Sequence, residues 1–319
     1  MGEFDLIERY FNRPALRADV GIGDDCAVWT PRPGHQLAFS ADMLVEGRHF
    51  LSTVNPQHLG HKALAVNLSD LAACGATPQA FLLSLSLPRA DEVWLAGFSS
   101  GLFELAGQHG CELIGGDTTQ GPLNIAITVM GDTPKGQSIL RSGAQAGDDL
   151  YVSGHLGDAR LALESFRGNI SLPQSVFDMA RSRMECPTPR IALGQALRGV
   201  ATAMVDISDG LLGDLGHILK ASRVGAEIET TVVTQLMRTG QLWTCPEDLG
   251  LTCVLSGGDD YELVFSASPR ASAQVQLAAQ TSDTRVTRIG RMTDSQRLVL
   301  LGKDGQPLCT TFQSFDHFA

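Results

Sequence analysis

The chain has 319 residues, 43% of them hydrophobic and 18% charged, enough apolar material for more than one buried core. Acidic residues outnumber basic ones 35 to 24, a net charge of −11, which argues against a nucleic-acid or anionic-membrane partner because either would need clustered Lys and Arg. The seven scattered cysteines form no C-x-x-C pair, so no zinc knuckle or dithiol redox motif is present, and their usage suits a reducing cytosol.

In chain order, a first helix is expected over 3–11, with Phe4, Ile7 and Phe11 on one face. Its acidic start has neither the basic nor the apolar region of a signal peptide. No apolar run reaches the ~18 residues of a membrane span, so a cytoplasmic protein is expected. The stretch GIGDDCAV, residues 21–28, then places Asp24 and Asp25 side by side ahead of an apolar strand, CAVWT. The turn PRPGH returns the chain as QLAFSAD, so 25–41 reads as a hairpin. Asn55-Pro56 is a helix start, a capping side chain followed by proline at the first helical position. That helix runs through QHLGHKALAVNLSDLAACGA to a strand, AFLLSLSL. Asp91 caps a helix to about 108, and strands follow at CELIG and LNIAITVMGD.

The polar stretch 132–150 is rich in turn residues and places a domain boundary near 145, giving domains 1–145 and 146–319. The second half reads as a strand at LYVSG, helices between 156 and 199, a strand at TAMVDIS, a helix over 209–222, then further strands and a helix. The mixture of helices, strands and hairpins points to α+β or α/β layers. Gly-Asp-Asp occurs at 23–25, 147–149 and 258–260, each before an apolar strand. At 147–149 ordinary turn chemistry accounts for it. Gly210, Gly213 and Gly216 lie at three-residue spacing and read as small residues that permit close helix packing.

The remaining acids are harder to assign to turns. Asp42 ends the second strand of the expected hairpin, and Asn67 and Asp70 are three apart inside an otherwise apolar helix, hence on one face. Burying a carboxylate there costs several kcal/mol (~2–7 for a polar group) unless it is paired or metal-bound. Asp117 follows an apolar strand and two glycines; Asp206 ends another strand, and Asp209 opens the next helix. Such hard oxygen ligands suit Mg2+, which keeps waters of its own and bridges to substrate phosphates. Adjacent glycines let backbone N–H groups approach phosphate oxygens, and the helix opening at 208–210 would offer N–H donors to an anion. No G-x-x-x-x-G-K-[ST] loop, H-R-D or D-F-G set, H-E-x-x-H or G-x-S-x-G elbow occurs.

In order along nearly the whole chain, GIGDDCAV, SADMLVEGRHF, KALAVNLSDLAACGATP, LIGGDTT, RSGAQAGDDLYVSG, DISDGLLGDLGHI, SGGDDYEL and the terminal FDHFA resemble the thiamine-monophosphate kinases. The wider superfamily includes aminoimidazole ribonucleotide synthetase and selenophosphate synthetase. The resemblance implies a two-domain synthetase-superfamily architecture: an N-terminal mixed-sheet domain that forms a homodimer, and a C-terminal α/β domain. It implies transfer of the ATP γ-phosphoryl group to thiamine monophosphate, giving thiamine diphosphate and ADP. By this resemblance Asp25, Ser40, Asp42, Asp70, Asp117, Asp206 and Asp209 would bind several Mg2+ ions, joined by Ala41 through its backbone carbonyl where the family commonly has Thr. Gly116, Asp117, Arg141 and Ser208 would contact ATP. His49, Asp259 and Phe315 would contact the thiamine substrate, Asp259 and Phe315 standing where the family usually has Glu and Tyr or Trp.

The acceptor phosphate is already ionised near neutral pH, so no general base is expected. Positioning and charge neutralisation should carry the reaction. The alternatives are a sister ATP-dependent synthetase of the aminoimidazole ribonucleotide type, and a non-catalytic nucleotide- and metal-binding regulator.

Overall fold

The computed structural model describes residues 2–308, and the chain divides into two units, Met1–Leu71 with Ala76–Gly136, and Ala72–Gly75 with Gln137 onward. The first unit begins with α1 (Glu3–Leu6), which continues as a π turn over Ile7–Phe11, closed by the Asn12 N–H donating to the Ile7 carbonyl at 2.8 Å. The wider winding of that turn changes the expected face. Leu6, Tyr10 and Phe11 are buried, whereas Phe4 is 82% exposed.

Strands β1 (His35–Val45), β2 (Thr77–Leu87), β3 (Glu112–Gln120) and β4 (Asn124–Pro134) form one sheet in the order β1-β4-β2-β3. The pairings are antiparallel except β2 with β3. The expected hairpin over 25–41 does not form: its second half is β1, whose partner is β4. Residues 20 to 28 instead fold back on themselves, Val20 and Val28 exchanging N–H···O bonds of 3.3 and 2.9 Å. Pro31 and Pro33 lack the N–H donors that a strand turning into β1 would need.

Two helices position this unit's acids. Asn55 Oδ1 accepts the Gln57 N–H at 2.8 Å ahead of α2 (Pro56–Ala73), as the cap motif requires. Asp91 Oδ1 accepts the Val93 and Trp94 N–H groups, both at 3.1 Å, ahead of α3 (Glu92–Gln108). The two helices touch backbone to backbone at Gly60 and Gly101, where a Cβ would lie 2.0 Å from the Phe98 carbonyl oxygen and 1.8 Å from that of Gln57. On one sheet face the rows Phe81–Val129, Leu83–Ile127 and Leu85–Ile125 are buried, as are Leu64, Leu68 and Leu71 of α2 and Leu95, Phe98 and Leu102 of α3. On the other face Ala18, Ala27 and Trp29 pack over Ala80, Ile114 and Met130, while Phe39 and Met43 stay 64% and 55% exposed.

In the second unit, strands β5 (Asp149–Ser153), β6 (Ala203–Asp206), β7 (Gly225–Glu229), β8 (Leu263–Ala267), β9 (Val286–Thr293) and β10 (Leu298–Leu301) form a sheet in the order β10-β7-β9-β5-β8-β6. Its helices are α4 (Asp158–Phe166), α5 (Gln174–Glu185), α6 (Ile191–Ala196), α7 (Leu211–Ser222), α8 (Thr230–Val233), α9 (Glu247–Ser256) and α10 (Ser272–Thr281). Leu150, Val152, Val205, Val264 and Ile289 of the sheet share one core with Leu161 of α4, Leu215 of α7 and Val254 of α9. The turn reading of Gly147-Asp148-Asp149 holds. Asp148 accepts the Gln145 N–H at 2.9 Å and the Thr202 hydroxyl at 2.7 Å, and Asp149 pairs with Arg288 at 2.7 Å.

Two details of α7 depart from expectation. The helix begins at Leu211 with Gly210 as its cap, so Asp209 precedes the helix instead of lying in its first turn. Gly216 has no atom within 4 Å of where a Cβ would be, so it does not serve close packing.

Candidate functional site

In the first unit the predicted acids ride on regular elements. Ser40 and Asp42 are two apart on β1 and therefore share a face, the one that meets α2. There the Ser40 hydroxyl donates to Asp70 Oδ2, and the Asp42 N–H donates to Asn67 Oδ1 at 3.1 Å. Asn67, itself buried, is locked by donating to the Ala63 carbonyl at 3.0 Å. The three-residue spacing of Asn67 and Asp70 thus sets one polar edge of an apolar helix against one polar row of a strand. Ala41, between Ser40 and Asp42, points its side chain to the opposite face.

The other positions of this unit lie apart from that row. Gly116, with φ +149, pairs with Leu83 just beyond the slip in the β2–β3 register at Ile114; a Cβ would be 1.8 Å from the Leu83 carbonyl oxygen. Asp117 pairs in register with Ser84, one step from the row that runs Asp42–Ile127–Leu83–Gly116. Asp25 is exposed on the 21–28 loop, its N–H donating to Asp24 Oδ1 at 2.8 Å. His49 follows β1, and its Nδ1 accepts the Val45 N–H at 3.0 Å, which leaves the ring proton of the neutral form on Nε2. The buried Lys62 ammonium donates to the His49 carbonyl at 3.3 Å.

In the second unit the predicted residues ride on loops. Asp206 is buried at the end of β6, and residues 207–210 lead from it to α7. The N–H groups of Ser208, Asp209 and Gly210 donate to one oxygen, Oδ2 of Asp214, at 3.0, 3.0 and 3.1 Å. This corrects the expectation that these N–H groups are available to an anion: a carboxylate inside the same chain already holds them. A nucleotide contact by Ser208 therefore falls to its hydroxyl. Burial pushes the Asp214 carboxyl up to about 7, with the nearby Asp209 charge adding to the rise and the three N–H donors opposing it. Arg141 is exposed, and its carbonyl accepts the Ser222 hydroxyl at 3.2 Å.

The loop carrying Asp259 is wound left-handed at Gly258 (φ 69), Asp259 (φ 62) and Tyr261 (φ 51). It is bonded to the 207–210 loop: the Asp259 N–H donates to the Ser208 carbonyl at 2.7 Å, and the Tyr261 N–H to that of Ile207 at 2.8 Å. Behind it, Glu262 is fully buried and accepts from Arg190 at 2.5 and 2.6 Å, Arg183 at 2.9 Å and Ser153 at 2.6 Å. Burial alone would raise the Glu262 carboxyl; the two guanidiniums outweigh it and hold the group below the usual carboxylate range. Neighbouring Asp260 is pushed well above its ordinary value by burial, and its carboxyl accepts the Gly157 N–H. Phe315 lies outside the described residues.

Asp214 and Glu262 had no role in the sequence reading, and Asp260 figured there only as part of a repeated Gly-Asp-Asp; each lies within five residues of a predicted site residue.

All the donors gathered here are oxygens, which suits a hard cation. Ser40 and Asp70 meet side chain to side chain, and among the described residues no three His, Cys, Asp or Glu side chains are gathered into a cage. That arrangement fits Mg2+, which keeps several waters and needs only one or two carboxylates beside a substrate phosphate. Among the described residues, no helix is long and apolar enough to cross a membrane.

Residues 23–133 match the N-terminal domain of AIR synthase related proteins, and residues 145–303 match their C-terminal domain. The thiamine-monophosphate kinase of Escherichia coli (strain K12) is 42% identical over 100% of this chain and 98% of its own length. The crystal structure of thiamine-monophosphate kinase from Stenotrophomonas maltophilia K279a superposes with a TM-score of 0.84, at 41% identity and 96% coverage of each chain. A structure of AaThiL complexed with AMPPCP and TMP gives a TM-score of 0.75, at 27% identity, covering 99% of this chain and 96% of that one. Similarity of this extent, running through both units, shows that the chain belongs to the thiamine-monophosphate kinase family of AIR synthase related proteins.

Proposed function

We propose that this chain moves the γ-phosphoryl group of ATP directly onto the phosphate of thiamine monophosphate, giving thiamine diphosphate and ADP. End-to-end similarity to thiamine-monophosphate kinases carries this reading. The acceptor is a phosphate monoester whose second pKa is about 6, so its oxygen is a ready nucleophile and no side chain need remove a proton. The difficulty is repulsion, since two phosphate anions ~4 Å apart oppose each other strongly.

Several Mg2+ ions would supply the neutralising charge. Asp25, Ser40, Ala41 (through its carbonyl), Asp42, Asp70, Asp117, Asp206 and Asp209 would hold them. Asn67 fixes the strand beside Asp42, and Ser40 fixes the Asp70 carboxylate by donating to it. Gly116, Asp117, Arg141 and the Ser208 hydroxyl would hold ATP. His49 and Asp259 would orient the thiamine phosphate, with Phe315 stacking on its cationic ring.

The protein would act in the cytoplasm as a homodimer, with the N-terminal sheets joined. Support for that pairing comes from the open face of the first unit's sheet, where Leu37, Phe39, Met43 and Leu82 lie exposed. The test is product analysis. Purified protein with Mg2+, ATP and thiamine monophosphate should release ADP and thiamine diphosphate one for one, and chelating the metal should stop it. ADP release without thiamine diphosphate, or none that depends on thiamine monophosphate, would defeat the reading.

A further inference from the structure

The 207–210 and 257–261 loops are joined by backbone hydrogen bonds, yet most of their conformation is unfavourable by itself. Asp259 and Tyr261 have left-handed backbones that non-glycine residues adopt only where their surroundings over-determine them. Gly258 and Gly210 are also left-handed or extended at positive φ, and a Cβ at Gly258 would lie 2.6 Å from the Ser208 carbonyl oxygen. Two buried carboxylates close the arrangement from behind. Asp214 Oδ2 takes the three consecutive N–H groups of 208–210. Asp260, between the two left-handed residues, takes the Gly157 N–H with both oxygens at 3.0 and 3.1 Å. Gly157 caps α4, so that carboxylate ties the loop to the start of a core helix.

We propose that Asp214 and Asp260 are positioning residues that clamp the two loops into one plate, so that the nucleotide and the thiamine phosphate are presented by a single rigid piece. This rests on the reading that Ser208 and Asp209 serve the nucleotide side and Asp259 the thiamine side. Both clamps are buried and grip backbone N–H groups, so they act through the loops and not on the substrates. The Asp259–Ser208 and Tyr261–Ile207 bonds transmit a loosening of either loop to the other.

The consequence is a kinetic signature. A residue that touches one substrate changes the KM of that substrate; a clamp of the plate changes both. Asp260→Asn and Asp214→Asn each keep one acceptor oxygen and put an amide NH2, which can only donate, in place of the other, so both KM values should rise together by about three- to tenfold. Asp260→Ala, which removes the acceptor, should raise both by more than about tenfold. If that variant does not fold, the two Asn variants decide by the same criterion. Asp259→Asn, in which Asn tolerates the left-handed backbone, should raise the KM for thiamine monophosphate alone.

The arms separate two failures. A wild-type thiamine monophosphate KM in Asp259→Asn would remove Asp259 from the substrate site and with it the underlying reading. A raised value there, with both KM values within about twofold of wild type in Asp260→Asn and Asp214→Asn, would overturn the clamp itself. So would a fall in kcat alone, which only reports fewer folded molecules.

Discussion

The acids of the first unit and those of the second are held in place by different physics. Ser40, Asp42 and Asp70 sit on a strand and a helix whose geometry is fixed by ladder bonds and apolar packing; one hydrogen bond joins the Ser40 and Asp70 side chains, and another ties the Asp42 backbone to Asn67. Asp209 and Asp259 sit on loops with left-handed residues and glycines, where the backbone must be held by buried carboxylates. Regular elements give position cheaply but allow only their own periodicities. Loops can aim two residues one apart in useful directions, at the cost of strain that something else must hold. The comparison predicts that damage to the first region should be chemical and local, and damage to the second should spread.

The sharpest test lies in the first region. Asp70→Asn keeps an oxygen to accept the Ser40 hydroxyl, so the fold should survive with an unchanged melting temperature. Turnover should nevertheless drop by about a thousandfold or more, because a neutral amide is a poor Mg2+ ligand. Near-wild-type turnover at ordinary Mg2+ would take Asp70 out of the site.

In the second region the largest effect should fall on stability. Glu262→Gln leaves Arg183 and Arg190 facing a neutral group in a fully buried setting. Uncompensated charge of this kind costs about 3–5 kcal/mol, a drop of roughly 10 °C in the melting of this unit. A shift under about 2 °C in calorimetry would show that the pair of arginines finds water instead.

A pH dependence follows from Asp214. Its carboxyl is raised by burial from an ordinary 3.8 to about 7, so the folded chain keeps a proton that the unfolded chain has lost. The contribution is fully present below the ordinary value and disappears as pH rises toward about 7, amounting to about 4 kcal/mol over that window. Denaturant midpoints should therefore fall from acid to neutral pH, and Asp214→Asn should flatten that part of the profile. An unchanged slope in the variant would assign the titration elsewhere.

Much of the first region was legible in the sequence, because its cues are periodic. Asn55-Pro56 and Asp91 marked two helix starts, and the spacing of Asn67 and Asp70 placed a polar edge on α2. The hairpin at 25–41 failed because alternation shows that a segment can be a strand and not which partner it takes; β4, some ninety residues on, supplied the pairing. In the second region the site residues could be named by motif, but their support could not. Nothing local says that Asp214 turns back to hold Ser208, Asp209 and Gly210, or that Asp260 reaches Gly157 about a hundred positions away. The N–H groups of 208–210 looked available for the same reason: a helix start is visible in sequence, whereas the carboxylate that occupies it depends on which way one side chain turns.

The smallest expected effects come from two glycines, one in a loop and one inside a helix. Gly258 has φ +69, and a Cβ there would stand 2.6 Å from the Ser208 carbonyl oxygen, so Gly258→Ala must open the joint between the loops. The left-handed backbone and the clash together should cost about 2 kcal/mol. Gly216 lies inside α7 with no atom within 4 Å of its would-be Cβ, so Gly216→Ala meets no obstacle and gains the helix preference of alanine, about 1 kcal/mol of added stability. Opposite signs in matched melting experiments would show that loop glycines in this unit are held by geometry and helix glycines are not. If Gly258→Ala proved neutral, the plate would be soft enough to yield by several tenths of an ångström, and the contrast between a region set by regular structure and one set by clamped strain would collapse at its most sensitive point.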